Sequence, residues 1–68
     1  MSDSDKVVLE GGPEELAGRI VPVETPGQDL KIPYGNGREH FRATSRHADT
    51  AEGVLPVYEW WERTEMPS

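Results

Sequence analysis

A small all-β domain is the fold this 68-residue sequence predicts, an antiparallel sheet of four or five short strands arranged as a meander or a partly open barrel. Three observations lead there. Short β-prone runs recur between glycine and proline signals, an Asn-Gly pair sits between two alternating arms, and the helical signal amounts to one turn near residues 13–17. An α+β arrangement is the alternative.

Residues 1–5 are polar and without pattern, which predicts a disordered N-terminus ahead of a single domain over 6–66. Val7-Val8-Leu9 is a short strand stopped by Gly11-Gly12. Pro13-Glu14-Glu15-Leu16-Ala17-Gly18 then has proline at a helix start, two acids at the positive end of the helix dipole, and glycine to close. One turn cannot hold itself, so Leu16 has to pack on something. Ile20-Val21-Pro22-Val23 is a strand whose proline cannot donate to a ladder, so it should lie on an edge or hold Pro22 at a non-bonded position. Thr25-Pro26-Gly27-Gln28 has its proline and glycine where a type II turn wants them.

Leu30 to Ala43 is the hairpin. With Asn36-Gly37 as a type I′ loop, Ile32 faces Phe41 and Tyr34 faces Glu39. That register collects Leu30, Ile32, Tyr34, Phe41 and Ala43 on one face and Lys31, Arg38, His40 and Arg42 on the other. Pro33 pulls the first arm toward an edge as well. Thr44 to Gly53 holds only Ala48 and Ala51 as apolar residues and is expected to be a polar loop, with a helical turn from Ser45 to Gly53 as the alternative. Val54 to Met66 is the last strand, with Tyr58, Trp60, Thr64 and Met66 on one side and Leu55, Val57, Glu59, Trp61 and Arg63 on the other.

The motifs Val7-Val8-Leu9-Glu10-Gly11-Gly12-Pro13, Lys31-Ile32-Pro33, Asn36-Gly37 with Glu39-His40-Phe41, and Pro56-Val57-Tyr58-Glu59-Trp60 with Arg63-Thr64 span nearly the whole chain. In combination they resemble an uncharacterised family of short proteins from Streptomyces and related actinobacteria. The resemblance implies a small bacterial, cytoplasmic domain and carries no catalytic residues with it.

Charge is divided along the chain. The net charge is −6, yet residues 30–47 carry four bases against one acid while both flanks are acidic. Overall acidity argues against nucleic-acid or anionic-membrane binding. No apolar run reaches the 18 residues of a membrane span, and the start lacks a signal-peptide core, so cytoplasm is the expected location. With no cysteine there is no disulfide to brace so short a chain. A protein partner, its own copy or a larger bacterial protein, is the expected support, with a homo-oligomer among the outcomes.

Candidate chemistry is thin. Ser45, His47 and Asp49 are triad residue types crowded into one segment without a nucleophile elbow or a positioned oxyanion hole. His40, His47 and Asp49 match no zinc spacing, and Gly35-Asn36-Gly37 is explained by turn geometry. No enzyme, cofactor or metal is expected. The candidate interaction surface is Lys31, Arg38, His40 and Arg42, with Arg46 nearby, together with Trp61, Leu55 and Val57. Cations on one face can receive an acidic segment, or they can pair with Glu59 and the N-terminal acids. Adjacent tryptophans in a strand point to opposite sides, so Trp60 is expected inside and Trp61 outside. The function expected is a non-enzymatic interaction module. The alternative is a small-molecule or self-protection binder, with a site lined by Tyr34, Phe41, Tyr58 and a tryptophan at an oligomer interface.

Overall fold

The computed structural model describes residues 5–25 and 27–65. Five strands form one sheet: β1 (Asp5–Glu10), β2 (Ile20–Val23), β3 (Leu30–Tyr34), β4 (Gly37–Thr50) and β5 (Gly53–Glu65). Their order across the sheet is β2-β1-β5-β4-β3. The all-β expectation holds. The sheet is mixed rather than wholly antiparallel, because β1 runs parallel to β5 with Val8 opposite Val57 and Leu9 opposite Tyr58. The expected disordered stretch lies outside the described residues over 1–4, as does Met66, while Asp5 opens β1.

Two of the three proline-bearing strands stand at the edges, β2 with Pro22 and β3 with Pro33, while β5, with Pro56 opposite His47, is central. A proline cannot donate to a ladder, which suits the edge positions of Pro22 and Pro33, and Pro56 falls just before Val57–Glu59, the stretch of β5 that pairs with β1. Between β1 and β2 the loop closes through Leu9 N–H to Arg19 O at 2.9 Å and Gly18 N–H to Leu9 O at 2.7 Å. Within it, the N–H groups of Leu16 and Ala17 both donate to Pro13 O at 2.9 Å, which is the single helical turn. That turn swings Leu16 into the core.

The core covers one face of the sheet. Val7, Leu9, Leu16, Val23, Phe41 and Tyr58 are buried together, with Val21, Leu30, Ile32 and Tyr34 packed around them. The turn at 25–28 crosses the same face. Gly27 has φ +91° and Gln28 N–H reaches Thr25 O at 3.4 Å, as the third and fourth positions of a type II turn require. Pro26 lies outside the described residues. Gly27 N–H also donates to the Tyr58 hydroxyl at 2.8 Å, giving that buried phenol its partner.

The central hairpin turns one residue earlier than its sequence suggests. Tyr34 pairs with Gly37, Ile32 with Glu39 and Leu30 with Phe41, leaving Gly35-Asn36 as the loop. Gly35 has φ +60° while Asn36 does not have positive φ, a type II′ pattern rather than type I′. Gly37 is needed for another reason, since a Cβ there would sit 2.6 Å from Thr64 O and 3.2 Å from Arg63 Cζ. The slip moves every pairing by two positions, an even number, so each residue keeps its face. Ile32 therefore sits over Glu39 rather than Phe41, yet both stay on the core side.

Thr44 to Thr50 is strand, not loop. It pairs with β5 as His47 opposite Pro56, Ala48 opposite Leu55, Asp49 opposite Val54 and Thr50 opposite Gly53. Glu52 N–H and Gly53 O both bond the Thr50 hydroxyl, at 3.0 and 2.7 Å, fixing the tip. Apolar content did not mark this strand because it is two strands wide and mostly solvated.

Candidate functional site

Side-chain placement in β5 depends on an extra residue. Phe41 pairs with Trp60, but the next residue back, His40, pairs with Glu62, so Trp61 is a bulge. A single inserted residue inverts the alternation beyond it. Arg63 therefore joins Tyr58 and Trp60 on the core side, opposite Glu39, while Thr64 passes to the outer side opposite Arg38. Regular alternation had placed both the other way.

The core side of this region holds a carboxylate. Glu39 is 2 % exposed, with Trp60 Nε1 donating to its Oε1 at 2.7 Å and Arg63 Nη1 paired with its Oε2. A buried charge needs such partners, and here both oxygens are occupied. Arg63 also reaches Tyr34 O at 3.5 Å and lies over Gly37. Trp60 is roofed by the β1–β2 loop, because a Cβ on Gly12 (φ +78°) would lie 2.8 Å from its Cδ1. Close by in sequence to this seam, the Tyr34 hydroxyl donates to Glu15, and that hydrogen bond is the main reason the phenol's pKa is raised. Glu39 escaped the sequence reading because an acid on an apolar strand face reads as an exception. Its position opposite Tyr34 in the expected register was the available signal.

The outer side collects the cations. Lys31 pairs across from His40, Arg38 lies across from Pro33 and Thr64, and His40 Nε2 is 2.8 Å from Thr64 Oγ1. Trp61 stands among them, with the His40 ring edge-on at 5.9 Å and the Arg42 guanidinium 6.0 Å from the indole centroid. Arg42 and Arg46 are partly neutralised within the chain. Arg42 Nε is 3.4 Å from Glu59, and Arg46 holds Glu10 at 2.5 and 2.9 Å and Glu59 at 3.5 Å. The Arg46 hydrogen bond, chiefly, lowers the Glu10 pKa and raises that of Arg46. Lys31 and Arg38 enter no ion pair among the described residues.

Five of the seven candidate surface residues thus share one face: Lys31, Arg38, His40, Arg42 and Trp61. Two do not belong with them. Val57 is buried, with Val8 alongside it in β1 and its carbonyl taking the Thr44 hydroxyl at 2.7 Å. Leu55 is half-buried and lines an open groove of about 500 Å³ with Val7, Ala43, Val54 and Tyr58. The tryptophans point to the sides expected, but Trp60 is 38 % exposed against 40 % for Trp61, so the inner one is not sealed. Of Tyr34, Phe41 and Tyr58, the last two are core residues of the single chain, and Tyr58 also lines the open groove.

Ser45, His47 and Asp49 are exposed on β4. Among the described residues no group of three His, Asp or Glu side chains is placed to hold a metal, and no helix is long and apolar enough to cross a membrane.

Fold and faces define a small all-β domain built on one five-stranded mixed sheet with an apolar side and a cationic side. The chain belongs to a family of unknown function, DUF5988, whose model matches residues 1–68. Neither a curated protein nor a solved structure matches it.

Proposed function

We propose that this protein is a non-enzymatic interaction module of the bacterial cytoplasm, an accessory subunit that docks an acidic segment of a larger protein on the outer face of its sheet. The observation that carries this reading is Trp61, 40 % exposed on an uncovered sheet face, with His40 and Arg42 against its ring. A tryptophan flanked by a guanidinium and an imidazole suits an interface centre, where the indole supplies contact area and the arginine supplies charge complementarity. Lys31 and Arg38 extend the positive face. The occupied oxygens of Glu39 favour a structural carboxylate over a catalytic base.

The test is affinity capture from the source organism at low and high salt, using the native chain, Trp61→Ala and Arg38→Glu. The native chain should retain a partner that salt releases, and each variant should lose it while melting at an unchanged temperature. A retained protein indifferent to both substitutions would sink the reading.

The groove supports a second reading, a binder of a small apolar molecule. Its volume falls within the roughly 300–1,000 Å³ of ligand sites, and Val7, Leu55 and Tyr58 give it apolar walls. Leu55→Trp would fill it and abolish such binding.

A further inference from the structure

Among the described residues the edges of β2 and β3 and the part of β4 beyond β3 are open, as is β5 on its β1 side outside Val57–Glu59, and they are not equally protected. The β2 edge carries Pro22, and the β3 edge carries Pro33 with Lys31, both residue types that discourage a further strand. The third stretch begins where β3 ends. β3 covers β4 only from Gly37 to Phe41, and among the described residues no strand pairs with that edge from Arg42 to Thr50. This stretch contains neither proline nor lysine. An irregularity at residues 44–46 interrupts it, but from His47 to Thr50 the pairing with β5 is regular, so the opposite edge presents a regular row of backbone groups. A hairpin two strands wide is marginal in water. His47 and Asp49 are exposed there and enter no ion pair among the described residues.

We propose that a second copy of this chain occupies this edge, β4 pairing antiparallel with its counterpart about a two-fold axis at Ala48. The inference goes beyond the docking face around Trp61 and does not rest on it. Symmetry restricts the register. A two-fold axis normal to the sheet keeps each face on its own side, so residues that meet must be both odd or both even. Centring on Arg46 or Asp49 sets like charges against each other, and centring on His47 leaves Asp49 facing a serine. Centring on Ala48 sets His47 against the partner's Asp49 twice and Arg46 against the partner's Thr50 twice.

The same register continues the pairing already present inside each copy. Ala48 lies opposite Leu55, so one face gains an apolar row of Leu55, Ala48, the partner's Ala48 and the partner's Leu55. Asp49 lies opposite Val54 and His47 opposite Pro56, so the other face carries two rows in which an imidazole meets a carboxylate. Two five-stranded sheets become one of ten strands. The ladder is short, regular from His47 to Asp49 with Arg46 at the margin of the irregularity facing Thr50, and contacts this small give weak association, on the order of 10–100 μM.

Sedimentation velocity of the full chain across that concentration range is the direct test. The native protein should pass from monomer to dimer. His47→Glu sets a carboxylate against the partner's Asp49, and Asp49→Lys sets an ammonium against the partner's His47. Each should weaken association about tenfold, and the double variant should recover it because the pair is complementary again. The chain has no cysteine of its own, so Ala48→Cys supplies a readout that stands if a charge variant unfolds. Air oxidation should join two copies faster at Ala48→Cys than at Val54→Cys. A native chain that stays monomeric throughout, a dimer untouched by either single substitution, or equal oxidation at the two cysteine positions would overturn the proposal. Trp61→Ala should leave self-association intact, which separates this result from the fate of the docking face.

Discussion

The β4–β5 hairpin is one structure in two settings. Around Phe41 and Tyr58 it is the middle of a sheet, flanked by β3 on one side and β1 on the other. Beyond Thr44 it runs on as two strands with solvent at its edge. The first setting buries Phe41 completely, while the second leaves Val54 63 % exposed. The hydrogen-bond ladder is continuous enough to name both halves strand. What differs is the number of neighbours, so stability concentrates in one half and the available backbone in the other.

The contrast is sharpest in side-chain truncation. Phe41→Ala should cost about 3–5 kcal/mol and leave much of so small a domain unfolded, whereas Val54→Ala should change stability by no more than about 0.5 kcal/mol. Urea melts followed by tryptophan fluorescence measure both, and equal losses would erase the distinction between the halves. Arg63→Ala comes next. It deprives the buried Glu39 carboxylate of its cation, but Arg63 is itself about a third exposed, so water can partly replace it and about 2 kcal/mol is expected. The smallest effect is acid sensitivity. Arg46 holds the Glu10 pKa below its ordinary value, so the stabilisation is present above the unfolded pKa and fades as pH falls through the folded one. Arg46→Ala should flatten that part of the melting-temperature profile below about pH 4.5, the ordinary range of a glutamate.

Much of the fold was legible because its signals are local. Pro22 and Pro33 assigned their strands to edges by a rule about one missing donor. Alternation in Leu30–Ala43 gave the correct faces despite the wrong turn, since a shift of two residues preserves sidedness. Gly37 was credited with the turn, but its small size serves the approach of Thr64 and Arg63, which lie far along the chain. Non-local features were out of reach. Nothing in β1 announces a parallel neighbour in β5, and nothing near Trp61 announces the bulge that sends Arg63 inward to Glu39. The cationic face was legible as a face, and so was its pairing with Glu59 and an N-terminal acid, while which cation takes which acid required the strand order.

That strand order also dictates how the molecule is born. β5 is the last strand to leave the ribosome and it occupies the middle, between a β1–β2 pair and a β3–β4 pair synthesised earlier. Those two hairpins can form early, but as sheet neighbours they meet only through the final strand. Emergence of β5 is therefore the step that joins the two pairs into one continuous sheet.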